Sequence, residues 1–279
     1  MTRILVRRDS ALGDVLEVTA ITRRLREENP DAIIDIETAY PQVFERNNDI
    51  THPVKVEGAT YDRIIELNMS FENQLRKIHP IDAHSEIAFG DRKTLHQIHF
   101  NWPQLDIGTA GPPPVVLHAA KSWPIRTLPR EFWQKVIDLL VAADFAPILT
   151  GTLQDWNYLQ NAVDTRGKFT LAQQVALIDA ACCFVCSESG PMTLASPTRT
   201  PILGLFTMAP PTNLMHLRRG GYAWRWHYIQ AKIDCVGCEA THPEPVTYLD
   251  CKFGHRKCVD LFDPEEVVAK VKEIQIPLG

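Results

Sequence analysis

The chain has 279 residues, 45% hydrophobic and 23% charged, with a net charge of −5. That length favours one large or two modest domains with a sizeable core, and the acidic balance argues against a general nucleic-acid footprint. No run approaches the roughly 20 apolar residues of a membrane span, and the stretch to Asp14 holds a short apolar run broken by charge rather than a secretory leader. Seven cysteines are an odd number, and Cys182, Cys183 and Cys186 sit in a predicted core strand. This is not the pattern of a secreted disulfide framework. The expected location is the cytoplasm, with the inner face of the membrane as a peripheral alternative.

In chain order, Arg3 to Arg7 reads as a strand and Val15 to Glu28 as a helix, with Leu16, Ala20, Ile21 and Leu25 at helical spacing. Asn29-Pro30 ends it, and Ala32 to Thr38 is a second strand, so the chain opens as a βαβ unit. A short helix is expected near Pro41 to Asn47, strands at His52 to Val56 and Arg63 to Leu67, a helix from Ser70 to Ile78, and another over Ile81 to Phe89. Gly108 to Pro114 is the best linker. The rhythm then restarts: strand Val115 to His118, helix Arg130 to Ala143, strand Pro147 to Thr150 and helix Asp155 to Val163. Thr170-Leu171-Ala172-Gln173 has the form of a capping box. Strand Cys182 to Cys186, a short helix and strand Ile202 to Phe206 follow, and Asp263-Pro264-Glu265-Glu266 starts a last helix. The expected fold class is α/β: two Rossmann-like domains facing a central cleft, residues 1–110 and 111–262, then a helix over 263–279.

Three loops carry chemistry. Leu12-Gly13-Asp14 places a carboxylate at a helix start, where it serves as a cap or as a base taking a proton from an attacking hydroxyl. Lys121, in His118-Ala119-Ala120-Lys121-Ser122-Trp123-Pro124, is a solvated cation or a point charge for phosphate. Glu188-Ser189-Gly190-Pro191-Met192-Thr193 is a sharp strand-to-helix turn whose free amides suit an anion. The run Trp224-Arg225-Trp226-His227-Tyr228 stacks on a base or sugar, or packs in a core or subunit contact. Arg218 and Arg219 meet an anion or solvent.

Cys235-x2-Cys238-x12-Cys251-x6-Cys258 has the spacing of a metal knuckle. The expectation is a structural metal on four thiolates, with His242 and His255 as substitutes; reduced thiols or two disulfides are the alternatives. The residue types do not choose the metal.

Together, Leu12 to Leu16, Lys121 to Pro124 and Glu188 to Ala195 resemble the motifs of glycosyltransferase family nine, which includes the lipopolysaccharide heptosyltransferases. The resemblance implies a GT-B fold and inverting transfer from a nucleotide-diphosphate sugar, typically ADP-heptose. It implies Asp14 as general base, Lys121 balancing the diphosphate without a catalytic metal, and Gly13 and Glu188 to Thr193 around the donor. Phe169 and Thr170 would flank the nucleotide base. Some family members carry a cysteine-bound iron, which sets iron beside zinc. Two departures stand out: Glu188 replaces an aspartate, and Thr193 a histidine. The expected partners are a nucleotide sugar and a hydroxyl acceptor on a saccharide, a lipid-linked saccharide or a protein, in a chain able to form oligomers; modified DNA is a disfavoured acceptor. The competing classes are a non-catalytic nucleotide-sugar-binding protein and a metal-knuckle interaction module.

Overall fold

A computed structural model describes residues 1–74, 76–105, 111–218, 225–242 and 249–276. The first three residues of the expected linker (108–110), Arg219 and Trp224 lie outside these residues. The opening βαβ unit is β1 (Arg3–Arg7), α1 (Leu12–Glu28) and β2 (Ile33–Glu37). With β3 (Arg63–Glu66) they form a parallel sheet of order β2-β1-β3. Then come α2 (Ser70–Asn73) and α3 (Pro80–Phe89). The inner residues of β1 and β2 are buried, which is why both read as short apolar runs.

The second half begins with β4 (Pro114–His118), α4 (Arg130–Ala142), β5 (Ala146–Leu149), β6 (Val163–Asp164) and α5 (Leu171–Asp179). It continues with β7 (Cys183–Ser187), α6 (Gly190–Ala195), β8 (Ile202–Phe206), α7 (Pro211–Leu214) and β9 (Trp226–Gln230). These strands make one parallel sheet, β6-β5-β4-β7-β8-β9. The order runs outward one way from β4 and the other way from β7. In such sheets the crevice for a ligand opens where the order reverses, beyond the strands' carboxyl ends. α8 (Cys238–Thr241), α9 (Lys257–Asp260) and α10 (Pro264–Ile274) complete the described chain. No helix among the described residues is long and apolar enough to cross a membrane.

Three expected elements are corrected. His52 to Val56 is no strand: His52 makes a single bridge to Asp35, and Pro53, lacking an amide proton, ends the ladder. The helix from Ser70 stops at Asn73; the Ser70 hydroxyl donates to Leu67 O and pairs with His84 Nδ1 (2.6 Å) instead of capping, and Arg76 has φ 55°. Asp155 to Val163 is not a helix: residues 155–162 are a loop, with Tyr158 at φ 56° and Asn161 at φ 62°, and Val163 opens β6. The Asp155 carboxylate there accepts from Thr152 and Lys121 amides. The Thr170–Gln173 capping box is present on α5.

α10 seals the larger sheet by packing Val267, Val268 and Val271 against Val136, Ile137 and Leu140 of α4. Its N-cap is Asp263, whose carboxylate accepts from the Glu265 amide at 2.9 Å. Asp263→Ala should therefore cost about 1 kcal/mol. The check is a lower urea midpoint with an unchanged m-value.

Candidate active site

The first loop leaves β1 at Arg7 and turns at Ala11, whose φ of 64° is uncommon for a residue with a Cβ. Such a conformation costs on the order of 1–3 kcal/mol and survives where neighbours impose it. Here Asn68 Oδ1 accepts from the Asp9 amide, and the Val15 amide donates to Ala11 O. Asp14 thus lands in the first turn of α1. Arg8, only 5% exposed in its side chain, donates to Asp14 and to both oxygens of Glu72, and donates to Leu67 O at 3.0 Å. The Asp14 side chain stays 22% exposed in otherwise dense surroundings. Burial raises its carboxyl, Arg8 lowers it and Glu72 raises it, leaving it above the ordinary aspartate value. That is the direction a proton acceptor needs.

The second and third loops start at β4 and β7, the two strands at the reversal of the larger sheet. Lys121 is exposed after β4; its amide donates to Asp155 Oδ1 (3.2 Å), and its Nζ lies 5.0 Å from the Trp156 ring centre. After β7, Ser189 Oγ donates to Ser187 O (3.0 Å) and lies 3.3 Å from His118 Nδ1. Gly190 and Pro191 open α6. Met192 and Thr193 turn inward, Met192 into the core with Phe184 and Phe206.

The third loop meets the first loop directly. A Cβ on Gly190 would stand 3.1 Å from Gly13 N, and one on Gly13 would stand 3.4 Å from Gly190 Cα and Thr193 Oγ1. The loop of Gly13 and Asp14 therefore adjoins the turn of Ser189, Gly190 and Thr193, and Ser189 reaches the Lys121 loop through His118 and Asp155. Phe169 and Thr170 are at the start of α5: the Thr170 hydroxyl is used in the capping box, and Phe169 packs beside the cluster holding Met192.

Side chains not singled out in the sequence complete the seam. Arg76 pairs with Glu239 at 3.1 Å, and the Leu217 amide donates to His96 O at 2.6 Å. Glu17 Oε1 lies 3.0 Å from His216 Nε2, both buried. Burial holds the Glu17 carboxyl well above its usual range and pushes His216 down to about 3, so both shifts disfavour charge on the pair. A polar residue on the apolar face of α1, Glu17, was the only available signal. A separate cavity of about 230 Å³ is lined by Trp102, Leu105, Ala176, Asp179 and Arg199, and no candidate residue borders it.

All four C-terminal cysteines are free thiols. Cys238 and Cys251 pack against the cluster holding Cys258, and Cys235 Sγ lies 3.8 Å from His255 Nε2. Among the described residues no three His, Cys, Asp or Glu side chains are grouped closely enough to hold a metal. Burial raises the thiols of Cys238 and Cys258, to about 11 and about 12.

Glu188 sits beneath the third loop, 1% exposed. Its carboxylate accepts from Thr207 Oγ1 (2.6 Å) and from the Thr207 (3.3 Å) and Met208 (3.2 Å) amides. Burial nevertheless outweighs these donors and the Arg126 charge, and pushes the carboxyl up from its ordinary 4.5 to about 7. The folded state then binds the proton more tightly than the unfolded chain, so this group's stabilisation is complete below pH 4.5 and is lost as pH rises to about 7. Glu188→Gln should remove that downward slope, roughly 3 kcal/mol in full. Urea melts of both proteins at pH 5 and pH 8 read it.

The family model for glycosyltransferase family 9 (heptosyltransferase) matches residues 92–235. The fold is shared with a glycosyl transferase family 9 protein from Veillonella parvula (TM-score 0.74, 15% identity, 98% of this chain and 97% of that one). It is shared too with TibC, an iron-containing dodecameric glycosyltransferase from enterotoxigenic E. coli (TM-score 0.77, 15% identity, 98% and 78%). The E. coli ADP-heptose lps heptosyltransferase II gives TM-score 0.66 at 16% identity, with 98% of each chain covered. No curated protein matches by sequence. The family match spans more than half of the chain, the parallel α/β architecture agrees with it, and the chain accordingly belongs to glycosyltransferase family 9 and is a glycosyltransferase.

Proposed function

We propose that the chain transfers a heptose, or a related sugar, from an ADP-linked donor to an acceptor hydroxyl, with inversion. The observation that supports the reading is the Gly13–Gly190 contact, which brings the loop carrying Asp14 against the Ser189–Gly190 turn of the larger sheet. Residues 1–110 would hold the acceptor and 111–262 the donor, with the cleft between them. Asp14 takes the acceptor proton as the acceptor oxygen bonds to the anomeric carbon. Lys121 offsets charge on the departing diphosphate, and the amides after Ser189 add oriented dipoles. TibC has been seen with ADP-D-β-D-heptose and E. coli WaaC with ADP, which supports an adenine nucleotide. Glu188 spends its carboxylate on Thr207 and Met208, so it shapes the donor loop from below. Phe169 would line the base pocket at the start of α5.

A structural metal on Cys235, Cys238, Cys251 and Cys258 is part of this reading, iron or zinc being the candidates. The donor set suits it. Four backbone amides from Phe253 to Arg256 face the Cys251 sulfur and keep that thiol below its ordinary value despite burial, as a thiolate ligand requires. Gly237 and Gly254, at φ 74° and 70°, supply the sharp turns beside Cys238 and Cys251. The metal would order the 235–258 segment. A cytoplasmic setting agrees with seven free thiols.

ADP or ADP-heptose at ~100 times its Kd should add about 2.7 kcal/mol of stability, and GDP, UDP and CDP should not. Asp14→Asn should lower transfer about 10²- to 10⁴-fold while ADP still binds. Calorimetry and product analysis on the same samples decide the matter. Full transfer by Asp14→Asn would remove Asp14 as the base, and no response to any nucleotide would defeat the donor assignment.

A further inference from the structure

Three loops of the larger sheet converge on one imidazole. His118, the last residue of β4, is 5% exposed. Its Nδ1 lies 3.3 Å from Ser189 Oγ in the loop after β7, and its Nε2 lies 3.5 Å from Asp155 Oδ2 in the loop after β5. Asp155 in turn receives the Lys121 amide at 3.2 Å, the Thr152 amide at 2.7 Å and the Thr152 hydroxyl at 3.2 Å. The next residue, Trp156, donates its amide to Ala119 O (3.3 Å) and sets its ring under Lys121 Nζ. Both the backbone and the side chain of Lys121 are therefore placed by the 155–156 pair.

The backbone is cleared for this arrangement. Gly151 has φ 123°, and a Cβ there would come within 2.5 Å of Asp155 Oδ2 and 2.8 Å of His118 Cδ2. An ionised carboxylate only accepts, so an Nε2–H of His118 donates to Asp155, while Nδ1 lies against the Ser189 hydroxyl, whose own proton goes to Ser187 O. Burial raises the Asp155 carboxyl, but His118 and the Thr152 and Lys121 amides together keep it below the ordinary value.

We propose that His118 is a positioning residue that couples the Lys121 loop, through Asp155, to the Ser189–Gly190 turn, so that the lysine ammonium and the turn's amides face one diphosphate together. The proposal rests on the role assigned above to Lys121. It accounts for a polar ring buried at the sheet's reversal point, between two loops that come from opposite halves of the strand order.

The test is a double-mutant cycle read as ADP affinity by calorimetry. Asparagine places its amide near Nδ1 of histidine and glutamine places its amide near Nε2. His118→Asn keeps the Ser189 side and loses Asp155, whereas His118→Gln keeps the Asp155 side. The expected result is a loss of about tenfold in affinity for His118→Asn and for Lys121→Ala, and a much smaller loss for His118→Gln. In the Lys121→Ala background, His118→Asn should cost nothing more. Asp155→Asn, a second route to the same break, should match His118→Asn and show the same non-additivity. Equal losses for the asparagine and glutamine variants, or losses that add to that of Lys121→Ala, overturn the proposal while Lys121 keeps its role. An unchanged affinity for Lys121→Ala alone overturns the role of Lys121 and the proposal with it. A merely structural histidine would lower the melting temperature of both variants and leave the coupling at zero.

Discussion

The backbone of Gly13 lies against the backbone of Gly190, and the rest of the seam follows from that approach. At a Cβ-to-nitrogen separation of 3.1 Å, any side chain at 190 would force the two loops apart. Because neither residue carries one, α1 and α6 begin side by side, each with amides that its own helix leaves unpaired. The apolar residues behind the loops continue the contact: Leu194 of α6 and Val175 of α5 join the core built around α1. Leu194 is buried in a cluster otherwise made mainly of residues from the first half.

Polar contacts then surround this seam in layers. Deepest is the Glu17–His216 pair, whose neighbours His79 and His96 stack with ring centres 3.8 Å apart. Nearer the opening is the charged group of Arg8, Asp14 and Glu72, and beside it the Arg76–Glu239 bridge. Breaking one member of a buried set strands its partners in a low dielectric, so such sets specify one relative placement of the elements they join. Glu239 is the residue after Cys238, and its amide donates to Met208 O. The cysteine segment is therefore tied both to the strand end that holds Glu188 and to Arg76 across the seam.

Much of the secondary structure was legible because local signals agreed. The apolar periodicity of α1, the capping box at Thr170 and the Asp263-Pro264 start all reappear as helices. Where they disagreed with tertiary demand, tertiary demand prevailed. Asp155 opens a stretch with helical spacing, yet its carboxylate accepts from Lys121, and left-handed Tyr158 and Asn161 keep the stretch a loop. Ser70 looked like a cap, but its hydroxyl went to Leu67 and His84. The loops carrying Asp14, Lys121 and Ser189 were recognisable as strand-to-helix turns; Arg8, His118, Asp155 and Glu17 were not recognisable as members of the site. An arginine or histidine at a strand end has no local signature that says which distant loop it will touch.

The sequence by itself determined two parallel α/β halves, because hydrophobic period, caps and glycine or proline breaks act over a few residues. Its three loop motifs, in that order, also determined the family. Only the tertiary structure decided which side chains share a site. Strand order β6-β5-β4-β7-β8-β9 puts β4 beside β7, although 64 residues separate His118 from Cys183, and so brings His118 to Ser189. Docking of the halves set Gly13 against Gly190 and buried Glu17 with His216; burial raises the proton affinity of Asp14 and Glu17 and lowers that of His216. Those shifts arise from desolvation and from charges distant in sequence, and both exist only once the chain has closed on itself.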